Sequence, residues 1–126
     1  MSQIEIYKTK DNQTQVEVRF DEETVWLTQQ QMALLFKQTK QNISLHINNC
    51  FKEKELQKNS VVKESLTTAL DGKNYLTNYY NLDVIISVGY RVKSKRGTQF
   101  RQWATQILKE FALKGYVLDK KRLENG

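Results

Sequence analysis

The chain has no proline, 5 glycines, one cysteine and one histidine among its 126 residues. With so little of the two loop-forming residues, no stretch has the composition of a flexible linker or a low-complexity segment. Cys50 alone excludes an internal disulfide and a cysteine-rich zinc site, and His46 leaves little for any other metal centre. A reducing cytoplasm is the expected setting. No run of about 18 apolar residues occurs and the opening MSQIEIYKTK has no long apolar core, so membrane spanning and secretion are disfavoured. Catalytic signatures are missing too: no glycine-rich phosphate loop, no histidine beside an obvious nucleophile, no metal-ligand spacing. These absences lead us to expect a non-enzyme without cofactor, metal or small-molecule substrate.

What is present suits a folded, basic domain. Hydrophobic residues make up 39% and aromatics 10%, enough for one α+β domain over residues 1–126, and the net charge of +6 favours a polyanionic partner, nucleic acid first. Alternating runs at Ile4 to Tyr7 and Val16 to Phe20 flank a polar turn at Lys10 to Thr14 and predict a β-hairpin. Thr24 to Leu27 adds a short third strand. The charged stretch KEKELQKNSVVKES reads as a loop or frayed helix end. Asp71-Gly72 between Leu66 to Leu70 and Tyr75 to Tyr80 predicts a second hairpin, a wing over about 65–80. Asn81 caps a helix through LDVIISVGYRV, with Leu82, Ile85, Ile86, Val88 and Gly89 inward. Phe100, Trp103, Ala104, Ile107, Leu108 and Phe111 then recur at helical spacing and predict an amphipathic helix over about 98–114, ended by Gly115. The polar tail YVLDKKRLENG reads as a boundary within a longer protein.

The segment LTQQQMALLFKQTKQNISLHI carries the functional expectation. Thr28 caps a helix over 29–36 with Met32, Ala33, Leu35 and Phe36 on one stripe. Thr39 caps a second helix, in which Ile43, Ile47, Cys50 and Phe51 face inward while Gln41, Leu45, Asn48 and Lys52 face out. Together, about 28–52, these form a helix-turn-helix pattern within a winged-helix-like core. The turn usually holds a glycine and then an apolar residue; here Lys37 and Gln38 stand there.

In a DNA-reading role the second helix presents Lys40, Gln41, Asn42, Ser44 and Leu45 to base edges. Amides pair bidentately with adenine, lysine prefers guanine, and an apolar side chain meets a thymine methyl. Leu45 equally suits contact with another subunit. Phosphate contacts fall to the cap hydroxyls of Thr28 and Thr39, to Lys73 on the wing, and to the cluster Arg91, Lys93, Lys95, Arg96 and Arg101, which counterion release would reward. Against this stand a plain solvated helix pair, a structural hairpin and a solvated charge run. Phe100, Trp103 and Phe111 fit a core better than a base-stacking platform.

The blocks VWLTQQQMALLFKQTKQNISLHI, NYYNLDVIISVGYRV and RGTQFRQWATQILKEFALKGYVLD resemble the N-terminal region of the RhuM family, bacterial virulence-associated proteins, from about Val16 to Gly126. The element order is more distantly similar to the Bro-N and KilA-N type domains of phage antirepressors, which are regarded as DNA-binding modules. The resemblance implies longer family members with a further C-terminal region. With the helix-turn-helix pattern it leads us to expect double-stranded DNA binding in transcriptional or mobile-element regulation, by a homodimer because one short helix reads few base pairs and palindromic sites supply the rest. A protein-interaction module of a virulence or toxin-antitoxin-like system is the alternative.

Overall fold

Alternation sets the first two strands. In β1 (Gln3–Lys8) and β2 (Gln15–Phe20), Tyr7, Val16, Val18 and Phe20 are buried, while Gln15 and Glu17 are exposed. The strands pair antiparallel from Gln3↔Phe20 to Lys8↔Gln15. Their turn closes with the Thr9 amide donating to the Thr14 carbonyl at 2.9 Å and Asn12 at φ 60°. The computed structural model describes residues 3–21, 23–53, 56–57 and 61–125, of which 113–125 are described as backbone.

β3 (Val25–Thr28) pairs with β2 and runs straight into α1 (Gln29–Phe36). α2 (Lys40–Lys52) follows, then the hairpin β4 (Val62–Thr68) and β5 (Asn74–Asn81), α3 (Leu82–Arg91) and α4 (Lys95–Asn125). The strands form one antiparallel sheet in the order β1-β2-β3-β5-β4. This is an α+β fold. One sheet face, with Val18, Phe20, Val25, Leu27 and Tyr80, joins Met32, Leu35, Ile43, Ile47, Val84, Ile85, Val88 and Phe100 in the core.

Aromatic contacts pin α4 to the first hairpin. Tyr7 lies 5.2 Å from Phe100 and 4.8 Å from Trp103, and Phe20 lies 5.5 Å from Trp103 and 5.6 Å from Phe111. Each such pair contributes about 0.5–1.5 kcal/mol beyond the area it buries. Phe100 is therefore a core residue, and Trp103 and Phe111 pack against the core half-buried.

Several sequence expectations are corrected. The last helix runs over 95–125, not 98–114, and its backbone stays helical through Gly115. A glycine costs a helix interior only about 1 kcal/mol and does not stop it without a cap. Val62 to Ser65, expected in a charged loop, belong to β4, drawn in by buried Val61 and half-buried Val62. Residues 54, 55 and 58–60 of that stretch lie outside the described residues. Ala69 and Leu70, expected in a strand, form the turn instead. In α3 the buried set is Val84, Ile85, Val88 and Gly89, with Leu82 and Ile86 only half-buried.

Pairing between β3 and β5 stops at Thr28↔Tyr79, so from Asn78 to Asn74 β5 is held by β4 alone. The outer part of the hairpin projects as a two-stranded arm beside the N-terminal ends of α1 and α2. Leu66 and Leu76 sit opposite each other on it, both exposed.

Candidate nucleic-acid interface

The relation of α1 to α2 is fixed by polar side chains. The Thr28 hydroxyl accepts from the Gln31 amide at 3.1 Å while the Gln31 side-chain oxygen accepts from the Thr28 amide at 2.8 Å, a reciprocal cap. α1 ends at Lys37, which takes the left-handed conformation at φ 53°, ψ 47°. The Gln38 amide donates back to the Ala33 carbonyl at 3.0 Å and the Lys37 amide to Leu34. This is the paired closure usually made with glycine, so the turn forms with lysine in glycine's place.

Four amides are consumed in holding this geometry. Gln29 donates from Nε2 to the Lys40 carbonyl at 2.8 Å, tying the start of one helix to the start of the next. Asn42 donates from Nδ2 to Gln38 Oε1 at 2.6 Å, and its backbone amide donates to Thr39 Oγ1 at 3.0 Å. Gln31 completes the cap. Gln30 and Gln41 remain exposed, and their side chains make no hydrogen bond among the described residues.

Gln41, Leu45, Asn48 and Lys52 form the exposed stripe of α2, with Leu45 at 55%. Lys37, Thr39, Gln41, Asn42 and Leu45 line one shallow depression at its N-terminal end. Ser44 is half-buried at the margin. A separate groove of about 420 Å³ lies between Thr28, Gln30 and Lys40 on the helices and Thr67, Leu76 and Thr77 on the arm.

The expected phosphate contacts divide into separate groups. Lys73 is exposed at the arm's tip beside Asp71, whose carboxylate accepts from the Lys73 amide at 2.9 Å and the Tyr75 hydroxyl at 2.8 Å. Those bonds, the amide first, hold Asp71 below the usual carboxylate range, so the tip carries a negative charge next to the lysine. Arg91 is bridged to Glu53 at the end of α2. Arg96 turns inward: its guanidinium donates to Asp11 at 2.7 Å, to the Leu35 carbonyl at 3.1 Å and to Thr14 Oγ1 at 3.2 Å, with the side chain 12% exposed. It acts as a tie between the first turn of α4, the end of α1 and the β1–β2 turn. Lys93, Lys95 and Arg101 are exposed, and Lys93 and Arg101 line a second groove with Tyr90.

No group of three or more histidine, cysteine, aspartate or glutamate side chains converges among the described residues. Nor is any described helix long and apolar enough to cross a membrane. A family model described as virulence protein RhuM family matches residues 60–126, more than half of the chain. The chain belongs to the RhuM family. No curated protein and no solved structure matches it. In this RhuM-family chain the matched span takes in β4, β5, α3 and α4, so the arm and the Tyr90 groove lie inside it and the α1–α2 pair lies before it.

Sequence reasoning missed the internal roles of Gln29, Gln31, Gln38 and Arg96. For Gln31 a signal was present, since Thr28 followed three positions later by glutamine is the capping-box spacing. Gln38 bonds Asn42 just four positions on, across the turn, whereas Gln29 and Arg96 have partners that the fold brings near.

Proposed function

We propose that the chain is a double-stranded DNA-binding domain of a bacterial regulator, with α1–α2 used as a helix-turn-helix and the β4–β5 arm as a wing. The observation that carries this reading is the division of labour among the amides. Gln29, Gln31, Gln38 and Asn42 are spent on holding the helices in place, while Gln41, one residue into the first turn of α2, stands free beside exposed Lys40 and Leu45. A rigid helix end with an uncommitted amide, a lysine and an apolar side chain is what reading of major-groove edges requires. Lys73, Lys93, Lys95 and Arg101 are exposed cations available for phosphate, and Thr39 adds a hydroxyl. Arg96 serves the fold, and Asn42 reaches bases only by giving up Gln38. One short helix reads few base pairs, so a homodimer on a palindromic site fits, within the cytoplasm.

Exposed Leu45, Leu66, Leu70 and Leu76 favour a second reading, a protein-interaction surface along α2 and the arm. Selection of bound sites from a random duplex pool separates the two. Enrichment of one motif, and its relaxation at one position in Gln41→Ala by about 1–3 kcal/mol of discrimination, supports DNA reading. An unenriched pool with the folded protein favours the interaction module.

A further inference from the structure

Helices α3 and α4 cross at two glycines. A Cβ placed on Gly89 would lie 3.1 Å from the Phe36 ring and 3.3 Å from the Gly97 Cα. With no side chain at either position, the backbones close up and a hollow of about 540 Å³ opens beside the crossing, within the range of roughly 300–1,000 Å³ typical of small-ligand sites. Ile86, Tyr90 and Lys93 line it from α3 and its closing turn, and Thr98 and Arg101 from α4.

The lining is chemically sorted. Tyr90 is 86% exposed, an aromatic ring left in solvent on a helix whose other large side chains are buried or half-buried. Lys93 is held in the left-handed conformation at φ 54°, and the Ser94 amide donates to the Gly89 carbonyl at 3.1 Å, so the lysine leaves the turn from a fixed position. Neither Lys93 nor Arg101 has an ion-pair partner among the described residues, and no carboxylate lines the hollow. Cations without counter-charge, hydroxyls at Ser94 and Thr98, and a free ring in one hollow suit a ligand with a phosphate and a flat ring.

We infer that this groove binds a nucleotide, its base stacked on Tyr90 and its phosphate held by Lys93 and Arg101. The hollow takes one nucleotide unit, not a duplex, so the site is separate from the α2 surface. The ligand has two sources, a free nucleotide or an unpaired stretch of a DNA strand.

The test is fluorescence titration of the full chain with N-methylanthraniloyl-ADP and, separately, with a 5′-fluorescein-labelled octathymidylate, each repeated on Tyr90→Ala, Tyr90→Phe, Arg101→Gln and Gln41→Ala. Saturable binding that weakens about tenfold or more in Tyr90→Ala and Arg101→Gln, the scale of one lost stacking or charged contact, and persists in Tyr90→Phe and Gln41→Ala supports the site. Tight binding of the labelled ADP identifies a free nucleotide as the source, and binding of the strand alone identifies unpaired DNA. Absence of saturable binding of both probes overturns the inference, as does equal affinity in Tyr90→Ala and Arg101→Gln variants whose circular dichroism is that of the wild type. Duplex binding read on the Tyr90→Ala sample, which alters no cation assigned to the duplex, reports on α2 independently.

Discussion

Lys37 occupies a backbone conformation that costs a residue with a Cβ on the order of 1 kcal/mol and costs glycine almost nothing. Among the described residues its side chain bonds only to exposed Gln13. Lys37→Gly is therefore expected to raise stability by about 0.5 kcal/mol, part of the gain being offset by the freer unfolded chain; urea unfolding midpoints measure this. Asp11 gives the second residue-scale expectation. The Thr9 hydroxyl first, and the Arg96 guanidinium next, hold its carboxyl well below the usual range. A depressed carboxylate stabilises the fold above its unfolded pKa of about 3.9 and loses that contribution as pH falls toward the folded value. Asp11→Asn is thus expected to be less stable than wild type at neutral pH, with the gap closing as pH drops below about 4. Unfolding curves between neutral pH and strong acid follow it; a gap constant with pH would contradict the role given to Asp11.

At the scale of elements, contact between α3 and α4 depends on Gly89. Gly89→Ala forces its methyl against the Phe36 ring and the Gly97 backbone, and a cost of about 1–3 kcal/mol is expected from overpacking. Thermal unfolding measures it, and a neutral effect would mean that Phe36 yields easily. Local chemistry made much of the element plan readable. Thr28 and Thr39 placed the starts of α1 and α2, and the wheel of α2 correctly put Gln41, Leu45, Asn48 and Lys52 outside. Helix ends were harder, because both rules based on glycine failed here. Lysines at 37 and 93 take the left-handed closing positions, whereas the backbone stays helical through Gly115. In both cases the lysine precedes a new hydroxyl cap, Thr39 or Ser94, so the following helix helps to impose the turn. The candidate site was legible only in its free groups. That Arg96 would be spent on Asp11 and Leu35, 85 and 61 residues away, depends on the sheet bringing the first turn beneath α4.

On the scale of the whole molecule, helices cover one face of a five-strand sheet, and the β4–β5 arm projects past the end of β3 alongside the start of α2. That placement puts Lys40, Gln41 and the arm's inner edge on neighbouring surfaces, the arrangement a winged reader of duplex DNA needs. The net charge of +6 would draw the domain to a duplex, and each phosphate neutralised contributes a salt slope of about −0.9 in log affinity against log salt. The most direct measurement is duplex affinity across a salt series for wild type, Lys73→Ala and Lys95→Ala. The expected result is a steep linear fall, shallower by about one unit in each variant; absence of duplex binding by the folded wild-type chain at low salt would contradict DNA reading by this domain.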